Sequence, residues 1–100
     1  MKIPDTVSFM SSRYEVRKTP GFHKNVNKDN FNRDQGRVDY NNAIIDIDPE
    51  LSHHKQTFFH EVQHIIAYHM GVELEEADVD RLAEGWLHFL ETNHMLAEER

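Results

Sequence analysis

Residues 53–71 read His-His-Lys-Gln-Thr-Phe-Phe-His-Glu-Val-Gln-His-Ile-Ile-Ala-Tyr-His-Met-Gly, and in this stretch the apolar spacing turns helical. Phe58, Val62, Ile65 and His69 fall on one face, with Phe59, Ile66 and Met70 beside them, which is the three-to-four spacing of an amphipathic helix. Ser52 is placed to cap its start and Gly71 to stop it, the first by a side-chain oxygen and the second by tolerating a left-handed backbone. A second helical pattern follows from about Leu74 to Asn93, with Val79, Leu82, Ala83, Trp86 and Leu90 as its apolar stripe. So short a link predicts two antiparallel helices.

Before this point the period is two. Val7 and Phe9 alternate with polar neighbours, and Tyr14 to Arg17 alternates again after Ser11-Ser12, which predicts a hairpin. Arg37 to Tyr40 and Ala43 to Asp48 flank Asn41-Asn42, residues that tolerate positive φ, and predict a second hairpin. Asp48-Pro49 ends that strand. Between the hairpins, Thr19 to Gly36 is polar and Asn-rich and reads as a long loop. The order of elements predicts an α+β domain: a small, mainly antiparallel sheet packed on the two helices. Residues 1–100 are expected to form a single domain, since 100 residues are ordinary for one core.

Composition narrows the chemistry. A net charge of -7 without clustered Lys or Arg argues against a nucleic-acid backbone or an anionic membrane as partner. With no cysteine, any metal must be held by His, Asp and Glu, and the chain has 8 His. Residues 1–13 show neither a signal-peptide core nor a targeting helix, and no stretch approaches transmembrane length, so a soluble, cytoplasmic protein is expected.

The chemistry concentrates at His60-Glu61-Val62-Gln63-His64. Residues four apart lie nearly above one another on a helix, so His60 and His64 can direct two imidazoles at one zinc ion. Catalytic zinc takes three protein ligands and leaves a position for water, and Glu61 beside the ion suits a general base. By composition alone this pattern arises roughly 0.06 times in such a chain, so its helical setting has to carry the rest. A third ligand is expected from the returning helix, where Glu76, Asp80 and Glu84 form one stripe. Antiparallel register places Asp80 nearest the level of His64, with Glu76 about one turn toward the link. The remaining histidines, His53, His54, His69, His88 and His94, have no partner at fixed spacing and read as ordinary core or surface residues. Tyr40, Tyr68 and Trp86 are assigned to packing, the tyrosines in preference to oxyanion stabilisation.

The motif residues together with Glu76-Ala77-Asp78-Val79-Asp80-Arg81-Leu82-Ala83 resemble the gluzincin metallopeptidases. Their second helix carries a Glu ligand, an Asp or Asn four residues later, and an apolar-small pair. The resemblance spans Gly36 to Asn93, and the order of strand, motif helix and Leu82-Ala83 helix is similar to small phage and prophage proteins related to the ImmA/IrrE-type peptidases. It implies Glu76 as third zinc ligand and Asp80 as the residue that orients a ligating imidazole. The interval from His64 to Glu76 is shorter than in most larger gluzincins, which keeps Asp80 open as the direct ligand. The family's lower subdomain has no counterpart after the second helix, so grip on a substrate is expected from elsewhere.

The resulting expectation is a zinc metallopeptidase of a peptide or protein substrate, with Zn2+ between the helices on His60, His64 and Glu76, and Glu61 moving the proton. The strand from Ala43 to Ile47 is expected to offer its edge to an extended substrate. The competing expectation is a non-catalytic interaction domain that keeps zinc as a structural staple.

Overall fold

The computed structural model describes residues 2–21 and 36–96. Strands β1 (Thr6–Phe9) and β2 (Ser12–Lys18) are followed by β3 (Gly36–Asp39), β4 (Ile44–Ile47), α1 (His54–Met70) and α2 (Glu76–Thr92). The expected loop between Thr19 and Gly36 falls mostly outside the described residues, and Gly36 itself opens β3.

The fold is α+β, with a mostly antiparallel sheet. Both hairpins form: β1 pairs antiparallel with β2, and β3 with β4. A parallel pairing of β2 with β4 joins them, giving the order β1-β2-β4-β3. This order corrects the expectation that the Ala43 to Ile47 strand offers a free edge. Strand β4 is bonded on both sides, and the edge next to it is β3. The turns also differ in detail. The first runs through Met10 and Ser11, with Met10 at φ 55°, while Ser12 already pairs with Phe9. In the second, positive φ falls on Ala43 (54°) and not on Asn41 or Asn42. There Asn42 serves by its donors, its backbone N–H reaching Asp39 Oδ1 at 3.1 Å and its Nδ2 reaching Oδ2 at 2.9 Å.

Alternation along β4 sends Ile45 and Ile47 inward and leaves Ile44 and Asp46 toward the other face. Ile45 and Ile47 meet Tyr14 and Val16 of β2, Ile3, and Phe58 and Ile65 of α1 in the buried core. Each such side chain is worth about 1.5–3 kcal/mol of burial. Beyond β4, Asp48 is fully buried and its Oδ1 accepts the Glu50 N–H at 2.9 Å, a local turn that ends the strand.

Helix α1 starts from His53, without a side-chain capping bond, so the expected Ser52 cap is not used. Gly71 stops it in the left-handed region at φ 69°, as its position implied. Thr57, Phe58, Glu61 and Ile65 are the buried residues of α1. Helix α2 packs on α1 through Val79 and Ala83, both fully buried. Trp86, expected in the core, is 48% exposed, and Leu82 is exposed as well. Successive helical residues turn by about 100°, which rotates Leu82 off the arc of Val79 and Ala83 that meets α1. Trp86 lies close to Val79 in angle but further along α2: Asp80 meets His60, so Trp86 stands level with His54, where α1 begins. Among the described residues, no helix is long and apolar enough to cross a membrane.

Candidate metal centre

On α1 two neighbouring ridges carry different work. Glu61 shares the buried face with Thr57 and Ile65, whereas His60 and His64 stand on the adjacent ridge, where α2 crosses. Their side chains are largely sheltered, at 14% exposure for His60 and 31% for His64. One ligand atom from each of His60, Glu61 and His64 lies within 4.8 Å of the others, so the group could hold a metal ion.

The crossing helix decides which carboxylate joins them. Glu76 Oε1 is 2.5 Å from His60 Nε2, and its Oε2 is 3.2 Å from His64 Nε2. The two Nε2 atoms are themselves 3.1 Å apart. Asp80, one turn further along α2, takes the opposite side of the same ring: His60 Nδ1 donates to its Oδ1 at 2.6 Å. Of the carboxylates on the stripe, Glu76 therefore meets both imidazoles and Asp80 meets one ring from behind. Simple register favoured Asp80 for the direct place. Glu84 lines the cleft without touching either histidine.

These contacts have a plain electrostatic reading. A carboxylate can only accept, so the Asp80 contact fixes the proton of a neutral His60 on Nδ1 and leaves a lone pair on Nε2. That lone pair then faces a Glu76 carboxylate and a second imidazole nitrogen at close range. Such a cluster of acceptors needs a cation, either a proton or a metal ion. Donors about 2.1 Å from a tetrahedral zinc sit about 3.4 Å from one another. The separations of 3.1 and 3.2 Å need only a few tenths of an ångström of spreading to admit an ion, while the 2.5 Å contact of Glu76 Oε1 with His60 Nε2 has to open by about 0.9 Å. The residues present could hold a metal ion.

Glu61 is 6% exposed and lies against the start of β3. An ideal Cβ on Gly36 would stand 3.3 Å from Glu61 Cγ and 2.7 Å from Thr57 Cγ2. Glycine at position 36 is what lets the edge strand close over this carboxylate. The site opens into a cleft of about 1030 Å³ between the β3 side and α2, with α1 along it. Gly36, Arg37 and Tyr40 line one wall, and Glu76, Asp80 and Glu84 the other.

Of the other histidines, His54 Nδ1 lies 2.7 Å from the Leu51 carbonyl and His69 Nε2 lies 2.9 Å from the Tyr14 hydroxyl, the satisfied roles expected of them. His53, by contrast, lines the cleft. Sequence reasoning also missed the Tyr40–Tyr68 stack, with ring centroids 4.2 Å apart and planes at 21°. No local spacing announces a contact between a strand end and a helix. Burial raises the Tyr40 pKa, as do the nearby charge of Glu61 and the neighbouring Tyr14 and Tyr68.

Protein-family models, curated proteins and solved structures give no match to this chain.

Proposed function

We propose that this chain is a zinc-dependent metallopeptidase-like hydrolase, with His60, His64 and Glu76 as the ligands, Asp80 orienting His60, and Glu61 as general base. The observation that carries this is the meeting of both Nε2 atoms with the Glu76 carboxylate while Asp80 holds the rear of the His60 ring. The same division between Glu76 and Asp80 is what the gluzincin resemblance implies. When bound, zinc supplies Lewis-acid polarisation of a carbonyl and lowers the pKa of water.

The chain's own groups do the rest. Glu61, buried beside the two histidines, takes a proton from the attacking water and delivers it to the leaving amine. The edge strand β3 lines the cleft, so an extended peptide can pair with its main chain with little dependence on side-chain sequence.

The test compares Glu61→Gln with His60→Ala for zinc content, melting temperature and cleavage of a broad peptide library, with candidate protein substrates alongside. Glu61→Gln is expected to keep zinc and lose turnover, and His60→Ala to lose zinc. The second reading is a structural zinc in an interaction domain. The observation favouring it is the thin apolar contact of α2, buried on α1 only through Val79 and Ala83. It prevails if wild type and Glu61→Gln are equally inert while His60→Ala unfolds.

A further inference from the structure

Hydrolysis of an amide places negative charge on the carbonyl oxygen as the water oxygen bonds to carbon. A preorganised donor aimed at that oxygen contributes more than one that must first be ordered. The donors lining the cleft divide by position, and Arg37, on the same wall as Tyr40, stands at an exposed position of β3. Thr57 is buried and its hydroxyl donates to the His53 carbonyl at 3.3 Å. Gln56 on α1 and His53 at its N-cap precede His60 by one and two turns, on the side away from His64. Tyr40 enters from the opposite wall, at the end of β3. Its ring is clamped flat on Tyr68, which stands one turn beyond His64 on α1, so the phenol is held beside the turn that carries the histidine pair. A tyrosine has two side-chain torsions, and the stack restrains both.

We infer that Tyr40 is a catalytic residue, its hydroxyl donating a hydrogen bond to the substrate's carbonyl oxygen as that oxygen gains charge. This rests on the hydrolase reading above and assigns it a residue that was first read as packing. No proton leaves Tyr40 in the step. The water oxygen bonds to carbon, the π pair moves to the carbonyl oxygen and is held there by the Tyr40 O–H, and Glu61 carries the water's proton to the amine as the C–N bond breaks. Burial and the Glu61 carboxylate both disfavour ionisation of the phenol, which keeps the donor protonated through neutral pH.

Tyr40→Phe keeps the ring and its stack and removes only the donor. In zinc-loaded full-length protein, the variant is expected to keep its zinc stoichiometry and melting temperature. Its kcat on a library-derived peptide should fall about 10²–10³-fold with KM nearly unchanged. Affinity for a phosphinic peptide of the same sequence, whose tetrahedral anion imitates the charged oxygen, should fall in parallel, while Gln56→Ala leaves both intact. Unchanged kcat and phosphinic affinity in Tyr40→Phe would overturn the assignment and leave the hydrolase reading standing. A loss in Gln56→Ala instead would move the role to Gln56. Zinc-loaded wild type that neither cleaves peptides nor binds the phosphinic peptide would overturn the hydrolase reading, and this inference with it.

Discussion

Asp80 and His60 meet at 2.6 Å, carboxylate Oδ1 to imidazole Nδ1, across the crossing of the two helices. The contact fixes both the tautomer and the tilt of the ring, so the Nε2 lone pair points at Glu76 and His64. Partners of this kind typically account for about 10–100-fold of metal affinity. Asp80→Ala is therefore expected to weaken zinc binding by that factor, and Glu76→Ala by more, because Glu76 approaches both nitrogens. Competition against a chelator of known affinity measures both. If Asp80→Ala proves the weaker binder of the two, their roles must be exchanged.

Removing the metal should loosen α2. Its fully buried anchorage on α1 is Val79 and Ala83, and the ion pairs described across the crossing are those of Glu76 and Asp80 with the histidines. At free zinc 100 times its dissociation constant, binding to the folded state alone adds about 2.7 kcal/mol. For a domain of this size that corresponds to roughly 10–20 °C in melting temperature. Hydrogen exchange should show α2 amides opening faster after chelation, with β2 and β4 less affected. Identical melting curves with and without zinc would count against the centre.

How much of this could be read from residues follows from the range of each interaction. Helices and hairpins were legible because period and turn chemistry are local, and so was the His60–His64 pair, set by one helical turn. The choice between Glu76 and Asp80 depends on where the helices cross, and register counted from the link pointed to the wrong neighbour for direct contact with both rings. Strand order is equally remote: nothing between Ala43 and Ile47 says that β2 will pair along the side away from β3. Trp86 shows the limit of amphipathic reading: its angle round α2 is close to that of buried Val79, and its exposure follows from its place along the axis, level with the start of α1, which periodicity does not report.

Alkaline pH should destabilise the fold through two of its phenols, buried Tyr14 and the partly covered Tyr40. Burial raises the pKa of Tyr14, with Tyr68 adding to it, and Tyr40 is raised by burial and then by Glu61. A group whose folded pKa exceeds its unfolded value holds its stabilising contribution below the unfolded value, about 10, and loses it as pH rises through the folded one. Unfolding free energy is thus expected to fall above about pH 10. Tyr14→Phe also loses the hydrogen bond to His69, worth about 1 kcal/mol near neutrality. Its deficit against wild type should shrink as pH rises past 10, and denaturant melts across pH 7 to 11.5 measure it. A constant deficit would show that Tyr14 ionises equally in both states.

The close packing of Gly36 against α1 supplies the sharpest test of how Glu61 is seated. A methyl group on Gly36 would stand 2.7 Å from Thr57 Cγ2, inside van der Waals contact, and 3.2 Å from the Asp46 carbonyl oxygen. Gly36→Ala is expected to cost about 1–3 kcal/mol, the usual range for overpacking a closed interior. Thr57→Ser removes the obstructing Cγ2 and keeps the hydroxyl that bonds the His53 carbonyl, so it should recover part of that cost. The double-mutant cycle then gives a favourable coupling of about 0.5 kcal/mol or more, measurable by urea melts. Because Glu61 Cγ lies 3.3 Å from the same position, Gly36→Ala should also lower turnover more than zinc content. Additive costs in the cycle would mean that β3 yields before α1 does, and that the edge strand does not hold Glu61 in place.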